Sequence, residues 1–213
     1  MTLPLIIVGA GGHGRVLLDF VREQGREVLG FVDSNPALWA KDCGGIPILG
    51  GDDVLERITP SAVELVNGIG SVGVPLLRAR VHARLKELGF VFATLCHPRA
   101  TVAVSARLAA GVQVMAGAVV QSGARLNEDV IVNTGAIIEH DCVIGAHSHI
   151  APRAVLCGEV EVGALAHVGV GACVVQRLRV GDKALVAAGA VVVANVPAGA
   201  NVAGVPARHM VKK

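Results

Sequence analysis

The chain has 213 residues, enough for one large domain or two small ones with a real core, and a formal net charge of +2 that argues against a dedicated nucleic-acid binder. Hydrophobic residues make up 53% but aromatics only 2%, with no tyrosine, so base-stacking platforms are missing and the interior is expected to be aliphatic. Scarce charge leaves apolar surface to cover, which predicts a homo-oligomer.

Residues 3–95 read as alternating strand and helix. LPLIIVG is a buried strand, and RVLLDFVREQG carries apolar residues at helical spacing up to Gly25. A second strand, EVLGFVD, ends at Asp33, and a Pro/Gly-rich stretch runs from Pro36 to Gly51. A short helix (DDVLERI), a strand (AVELVNGIG), an amphipathic helix (VPLLRARVHARLKELG) and a last strand (FVFATL) complete the pattern of a small open parallel sheet. Cys96-His97-Pro98 is the expected junction to the second half.

From Val102 to Val192 an aliphatic residue recurs at every sixth position without one insertion, passing through Val120, Ile138, Leu156 and Val174. Two places before each of these the residue is small, as at Ala100, Ala118, Ala136, Cys142 and Ala154, and Leu178 is the one exception. Neither a helix nor an ordinary sheet has a period of six. A parallel β-helix does, each hexapeptide supplying a short strand and a corner. Three hexads per turn predict about five coils at roughly 4.8 Å each. The tail from Val196 to Lys213 loses the repeat and is expected to cap the open end.

The five cysteines, Cys43, Cys96, Cys142, Cys157 and Cys173, form no C-x-x-C pair and are read as reduced and structural, which implies the cytoplasm. The opening MTLPLIIVGAGG has no basic n-region and is expected to be a first strand and not a signal peptide, and no segment approaches the length of a membrane span.

Two places carry chemistry. Gly9-Ala10-Gly11-Gly12-His13-Gly14 fits G-x-G-x-x-G between a strand and a helix, where glycines let backbone approach a diphosphate at a helix N-terminus. Asp33 lies nineteen residues after Gly14, where a ribose-binding acid is expected, and Gly68-Ile69-Gly70 ends a later strand at the same sheet edge. A tight turn without a ligand is the alternative for this loop. On the repeat, Glu139-His140-Asp141 supplies an imidazole and a carboxylate, a base and a partner to orient it. At eighteen residues per coil His140 stacks beside Ser122 and Gly158, and His149 lies over His167 with His147 near. A zinc site needs three converging ligands, and only His149 and His167 pair, so no metal is expected. Polar corner or interface residues are the alternatives for these histidines.

IIVGAGGHGRV, FVD, GIG, HPRA, the hexads, IIEHDCVIG, HSHIAP and VAGVPAR together resemble the bacterial nucleotide-sugar acetyltransferases, which include the bacillosamine and perosamine N-acetyltransferases and the sialic acid O-acetyltransferase type. The resemblance implies a Rossmann-like nucleotide-sugar-binding domain over residues 1–97 and a left-handed parallel β-helix acetyltransferase domain with a C-terminal cap over 98–213. It implies a homotrimer with active sites between subunits. It makes His140 the general base with Asp141 beside it. His149, Gly158, Val170 and Ala188 then face acetyl-CoA, and Gly11, Gly12, His13, Asp33, Ser34 and Gly70 hold the nucleotide-sugar. Many members have glycine where this chain has Arg153 and Ala188, and Arg153 lies close to the implied cofactor groove. The expected reaction moves acetyl from acetyl-CoA to the amino group of a nucleotide-linked 4-amino-4,6-dideoxy sugar, in glycan biosynthesis, with a backbone N–H steadying the oxyanion. Alternatives are an O-acetyltransferase acting on a sialic acid or related hydroxyl, a dinucleotide-binding oxidoreductase or sensor, a zinc hydratase, and a non-catalytic scaffold.

Overall fold

A computed structural model, describing residues 2–39 and 41–210, divides the chain into two units. One runs to Gly70 and resumes over Leu77–Ala93; the other takes Ser71–Leu76 and the chain from Thr94 onward. Met1, Ala40 in the Pro/Gly-rich stretch, and Val211, Lys212 and Lys213 of the expected cap lie outside the described residues.

The first unit is built on β1 (Leu5–Val8), an aliphatic run buried along its length. It pairs in parallel with β2 (Val28–Val32) on one side and β5 (Glu64–Asn67) on the other. Between β1 and β2 lies α1 (Gly12–Glu23), whose Leu17, Leu18, Phe20 and Val21 are buried. This helix begins three residues before its apolar spacing indicates, because the glycine loop itself takes up the first turn. The Pro/Gly-rich stretch holds a hairpin that periodicity did not show: β3 (Asp42–Cys43) and β4 (Ile46–Gly50) turn at Gly44 and Gly45, with φ of 60° and 78°. Two successive left-handed residues make the tight turn that suits strand twist. β4 then joins β2 in parallel, giving the order β3-β4-β2-β1-β5.

Two expectations are corrected. Asp52–Arg57, expected as a short helix, is a 3-10 helix of six residues, about two turns, and not an α-helix. FVFATL is not one strand: Phe92 makes a single bridge to Leu65, with Phe90 and Phe92 buried, and Leu95–Cys96 belongs to the second unit. The segment is split because its two ends serve two different cores.

In the second unit the two-residue strands from Leu95 to Val192 pair in parallel with strands eighteen residues away, as Val119–Val120 does with Ile137–Ile138. Three sheets result, the faces of a parallel β-helix. Inside stand Val120, Ile138 and Leu156 of the first face, Leu126, Ile144 and Val162 of the second, and Val132, Ile150 and Val168 of the third, with Ala136, Ala154 and Ala172 at corners. Each buried Val, Ile or Leu contributes about 1.5–3 kcal/mol. The small positions two residues earlier are where the backbone folds inward at a corner, so their side chains meet the same core.

Every sixth residue from Gly111 to Gly189 is left-handed, with φ between 55° and 74°. This is the turn position that prefers glycine, yet Asp129, Asp141, His147, Arg153, Glu159, Leu165, Arg177 and Lys183 also occupy it. Outward residues differ by face. The second face is charged, through Arg107, Arg125, Glu161 and Arg179, with Arg179 paired to Glu161 at 2.9 Å. The first face is apolar, through Val119, Ile137, Val155, Cys173 and Val191. On the third face His149 pairs with His167, their ring centroids 5.0 Å apart edge to face. Asn201–Ala203 extends that face and pairs antiparallel with Arg208–His209, covering the last strand edge. Among the described residues no helix is long and apolar enough to cross a membrane.

Ala154 is fully buried between Ile138 and Leu156, so Ala154→Leu overpacks a coil and is expected to cost about 1–3 kcal/mol, read as a lower urea midpoint with an unchanged m-value. His167 is buried and its Nδ1 has no hydrogen-bond partner, and burial pulls its pKa below the ordinary imidazole value. The unfolded chain therefore binds this proton more readily than the folded one, and stability is lost as pH falls through about 6.5. His167→Phe keeps a ring against His149 and is expected to flatten that acid limb in thermal melts between about pH 7 and 5; an identical slope in the variant contradicts the assignment.

Candidate active site

In the first unit the loops after β1 and β5 lie side by side at the carboxyl ends of adjacent strands, the switch point of this sheet order. The glycines there divide by role. Gly9 has φ 104°, a Cβ on Gly14 would strike the Gly9 carbonyl, and one on Gly68 would come within 2.6 Å of it. These three are required by packing between strand and helix. Gly11 and Gly12 are different: both are exposed, and a Cβ on either meets nothing within 4 Å. No packing reason asks for glycine at these two positions, and α1 begins there with no side-chain cap and no acid in its first turn. The N–H groups of Gly11 and Gly12 and the dipole end are open to an anion.

Asp33 does more than sequence reasoning assigned to it. Its Oδ2 accepts the Ala10 N–H at 2.8 Å and its Oδ1 accepts the Asn35 N–H at 2.9 Å, so the carboxylate braces the glycine loop. Ser34 beside it is exposed. His13 packs on Gly70, where an added Cβ would sit 3.2 Å from the His13 Cβ. Arg78 of α2 (Leu76–Glu87), which the sequence reading missed, is fully buried and donates to the carbonyls of Asn67 at 2.8 Å and Ile69 at 2.9 Å. It anchors the loop that carries Gly70. Its spacing with His82 and Leu85 is that of the buried face, but an arginine at such a position reads as a solvated charge.

In the second unit His140 and Asp141 occupy the corner between the first and second faces. Side chains of neighbouring strand residues point apart, but Asp141 has φ 60°, and this left-handed step turns its carboxylate back toward the ring. The His140 Nδ1–H donates to Asp141 Oδ2 at 3.0 Å. The imidazole packs against Gly158 of the next coil and the carboxylate against Gly123 of the preceding one, and a Cβ on either glycine would strike them. In the neutral ring with Nδ1 as donor, Nε2 is the acceptor. The ring opens into a hollow of about 430 Å³ lined by Glu139, Cys157, Gly158, Glu159, Gln176 and Arg177. Glu159, Gln176 and Arg177 follow from the eighteen-residue stacking and were there to be read in the sequence. Both His140 and Asp141 are more than half exposed, so the pair orients the ring and adds little stability.

A single chain does not gather every expected cofactor residue. Gly158 stands with His140. Val170 and Ala188 are exposed and stacked on another corner, between the third and first faces, with the Gly189 N–H donating to the Val170 carbonyl at 2.8 Å. His149 lies on the third face, buried, with both nitrogens occupied. Asn133 uses its Oδ1 to accept the Thr134 N–H at 2.7 Å, so its amide N–H faces His149 Nε2 at 2.9 Å. Nδ1 then carries the proton and donates to Ser71 Oγ at 2.8 Å. Any ligand that reaches a nitrogen of His149 must displace Ser71 or Asn133. Neither residue is marked by the hexad rhythm. His147 turns to the buried carboxylate of Asp129 at 3.1 Å, on the third corner.

All five cysteines are free. Burial raises the Cys142 thiol to about 11 and pushes Cys157, beside His140, above its ordinary value, so neither is a ready thiolate. Among the described residues no group of three or more His, Cys, Asp or Glu side chains is placed to hold a metal ion.

Residues 4–85 match the family described as the PglD N-terminal domain. Among solved structures, the acetyltransferase domain of PglB from Neisseria gonorrhoeae FA1090 in complex with acetyl coenzyme A is 36% identical, with a TM-score of 0.91 over 99% of this chain and 100% of that one. PerB from Caulobacter crescentus in complex with CoA and GDP-perosamine is 35% identical, with a TM-score of 0.90 over 98% of this chain and 97% of that one. WeeI from Acinetobacter baumannii AYE, 24% identical with a TM-score of 0.87 over 98% of this chain and 100% of that one, shares the fold. Comparison with curated proteins returns no match. With likenesses that run its whole length, the chain belongs to the nucleotide-sugar acetyltransferase family, built from an N-terminal Rossmann-like α/β unit and a left-handed parallel β-helix.

Proposed function

We propose that the chain transfers acetyl from acetyl-CoA to the amino group of a nucleotide-linked 4-amino-4,6-dideoxy sugar, with His140 as general base. One observation carries the reading: an imidazole held through Nδ1 by Asp141, over a glycine that leaves its Nε2 open to a hollow. Nε2 accepts the proton of the amine as nitrogen bonds to the thioester carbon and the carbon–sulfur bond breaks. CoA thiolate is a good leaving group, so the raised thiol of Cys157 has no covalent step to perform. The related PglB domain binds acetyl-CoA and PerB binds CoA and GDP-perosamine, which supports both substrates here.

The first unit holds the nucleotide-sugar. Gly11 and Gly12 offer N–H groups to its diphosphate, and His13, Asp33, Ser34 and Gly70 line the same sheet edge. Acetyl-CoA takes the groove made when the His140 corner of one copy meets the Val170–Ala188 corner of another. That corner fits a long flexible ligand, since Gly171 and Gly189 would place an added Cβ in open space. Gly158 completes the acyl end beside His140, and His149 reaches the ligand only where Ser71 or Asn133 gives way. The apolar ladder of Val119, Ile137, Val155 and Val191 lies between these two corners, a contact of one corner with the other can close into a ring, and the resemblance to the family makes that ring a homotrimer. Free cysteines and the nucleotide-sugar substrate fit the cytoplasm.

Thiol release from acetyl-CoA, measured with UDP- and GDP-linked 4-amino-4,6-dideoxy sugars beside CMP-linked and free sialic acid, tests the reaction and the acceptor together. His140→Ala is expected to lower kcat by about 10²–10⁴-fold with unchanged circular dichroism. Near-wild-type turnover in that variant removes His140 from the role, and turnover only with a hydroxyl acceptor replaces the amine. Val155→Asp puts a charge into the apolar ladder and is expected to convert a trimer to monomers by light scattering, with loss of turnover. A monomeric wild type that is fully active contradicts the groove between copies.

A further inference from the structure

The corner between the third and first faces is a column of small, uncharged residues: Met115–Ala118, Asn133–Ala136, Ala151–Ala154, Gly169–Ala172 and Ala187–Ala190. Its left-handed position is glycine at 117, 135, 171 and 189, with φ of 64° to 68°. In the middle coil the same position is Arg153, with φ 58°, the one charged residue in the column. On the other two corners most left-handed positions carry side chains, so glycine is not demanded by the coil; this column is kept bare except for one cation. The side chain runs back over Gly135, where an added Cβ would sit 3.5 Å from the Arg153 Cγ. Gly135 therefore clears its path.

The guanidinium is exposed and enters none of the hydrogen bonds or ion pairs among the described residues. Arg177 and Arg179, equally exposed on their own corner and face, are both matched to glutamates. Arg153 thus pairs a strained backbone with an unmatched charge, on the corner that carries Val170 and Ala188. We propose that Arg153 is a specificity residue that binds a phosphate oxygen of one of the two diphosphate-bearing substrates in the groove between copies. This rests on the acetyl-transfer reading above. A planar fork of N–H donors suits a phosphate, and a compact lysine would not reproduce it.

The test uses the intact enzyme with Arg153→Gly and Arg153→Gln. KM is measured for acetyl-CoA, for acetyl-pantetheine, which carries the same thioester without phosphates, and for the nucleotide-sugar. A contact to the donor raises the acetyl-CoA KM by about tenfold and leaves acetyl-pantetheine unchanged; a contact to the acceptor raises the nucleotide-sugar KM alone by about as much. In either case kcat stays within about twofold, and the wild-type advantage shrinks as salt is added. Arg153→Gly keeps or raises Tm, since glycine accepts φ 58° freely, so a folding defect does not mimic the result. Unchanged KM for both substrates in both variants overturns the assignment. A wild type that releases no thiol with any acceptor fails the acetyl-transfer reading itself, and the phosphate contact falls with it.

Discussion

The second unit depends on one backbone constraint, a left-handed residue at every sixth position. Each such residue turns the chain through a corner, and three of them return it one strand above its starting point. The eighteen-residue register follows, and with it every vertical neighbour that matters: Gly158 above His140, Gly123 below Asp141, His167 above His149, Ala188 above Val170. Only glycine takes this conformation without strain, so each side chain placed there stands out against that background. Asp141 is the instructive case. Its φ of 60° brings a carboxylate next to the ring of the preceding residue, a contact that extended backbone would forbid.

Glycine serves opposite purposes in the two units. Gly9, Gly14 and Gly68 are bare because strand and helix backbones press together there, and their loss would push the loop apart. Gly11 and Gly12 are bare with space around them, which leaves N–H groups at a helix start free to meet an anion. Gly158 belongs to neither class; it makes room for an imidazole from the coil below. A glycine-rich motif is thus a mixture, and the packing contacts separate its members.

Polar chemistry in this protein is held by orientation more than by charge. Asp141 fixes the tautomer of His140, Asn133 and Ser71 fix that of His149, and Asp33 fixes the backbone of the glycine loop. Each of these is a hydrogen bond made by a short side chain anchored on rigid backbone. Such contacts lose little entropy when a substrate arrives, the property an acyl-transfer site needs if its base is to meet an amine in one pose.

The hexad rhythm, the small residues two places before each aliphatic, and the eighteen-residue stacking were legible along the chain, because a solenoid translates linear period directly into spatial neighbourhood. The parallel sheet of the first unit was legible from alternating apolar runs and glycine punctuation. The Gly44–Gly45 hairpin, the 3-10 helix at Asp52–Arg57 and the division of FVFATL between two cores were not, since each turns on a few residues too short to show a period. Sequence by itself therefore determined the architecture of the coils and the candidacy of His140, whose flanking acid and small vertical neighbours are all at fixed intervals. Tertiary structure decided which groups His140 and His149 touch, that buried Arg78 anchors the loop at Gly70, and that the expected cofactor residues stand on different corners of one chain. Those outcomes depend on φ, on burial and on contacts between residues far apart in sequence, for which no spacing rule exists.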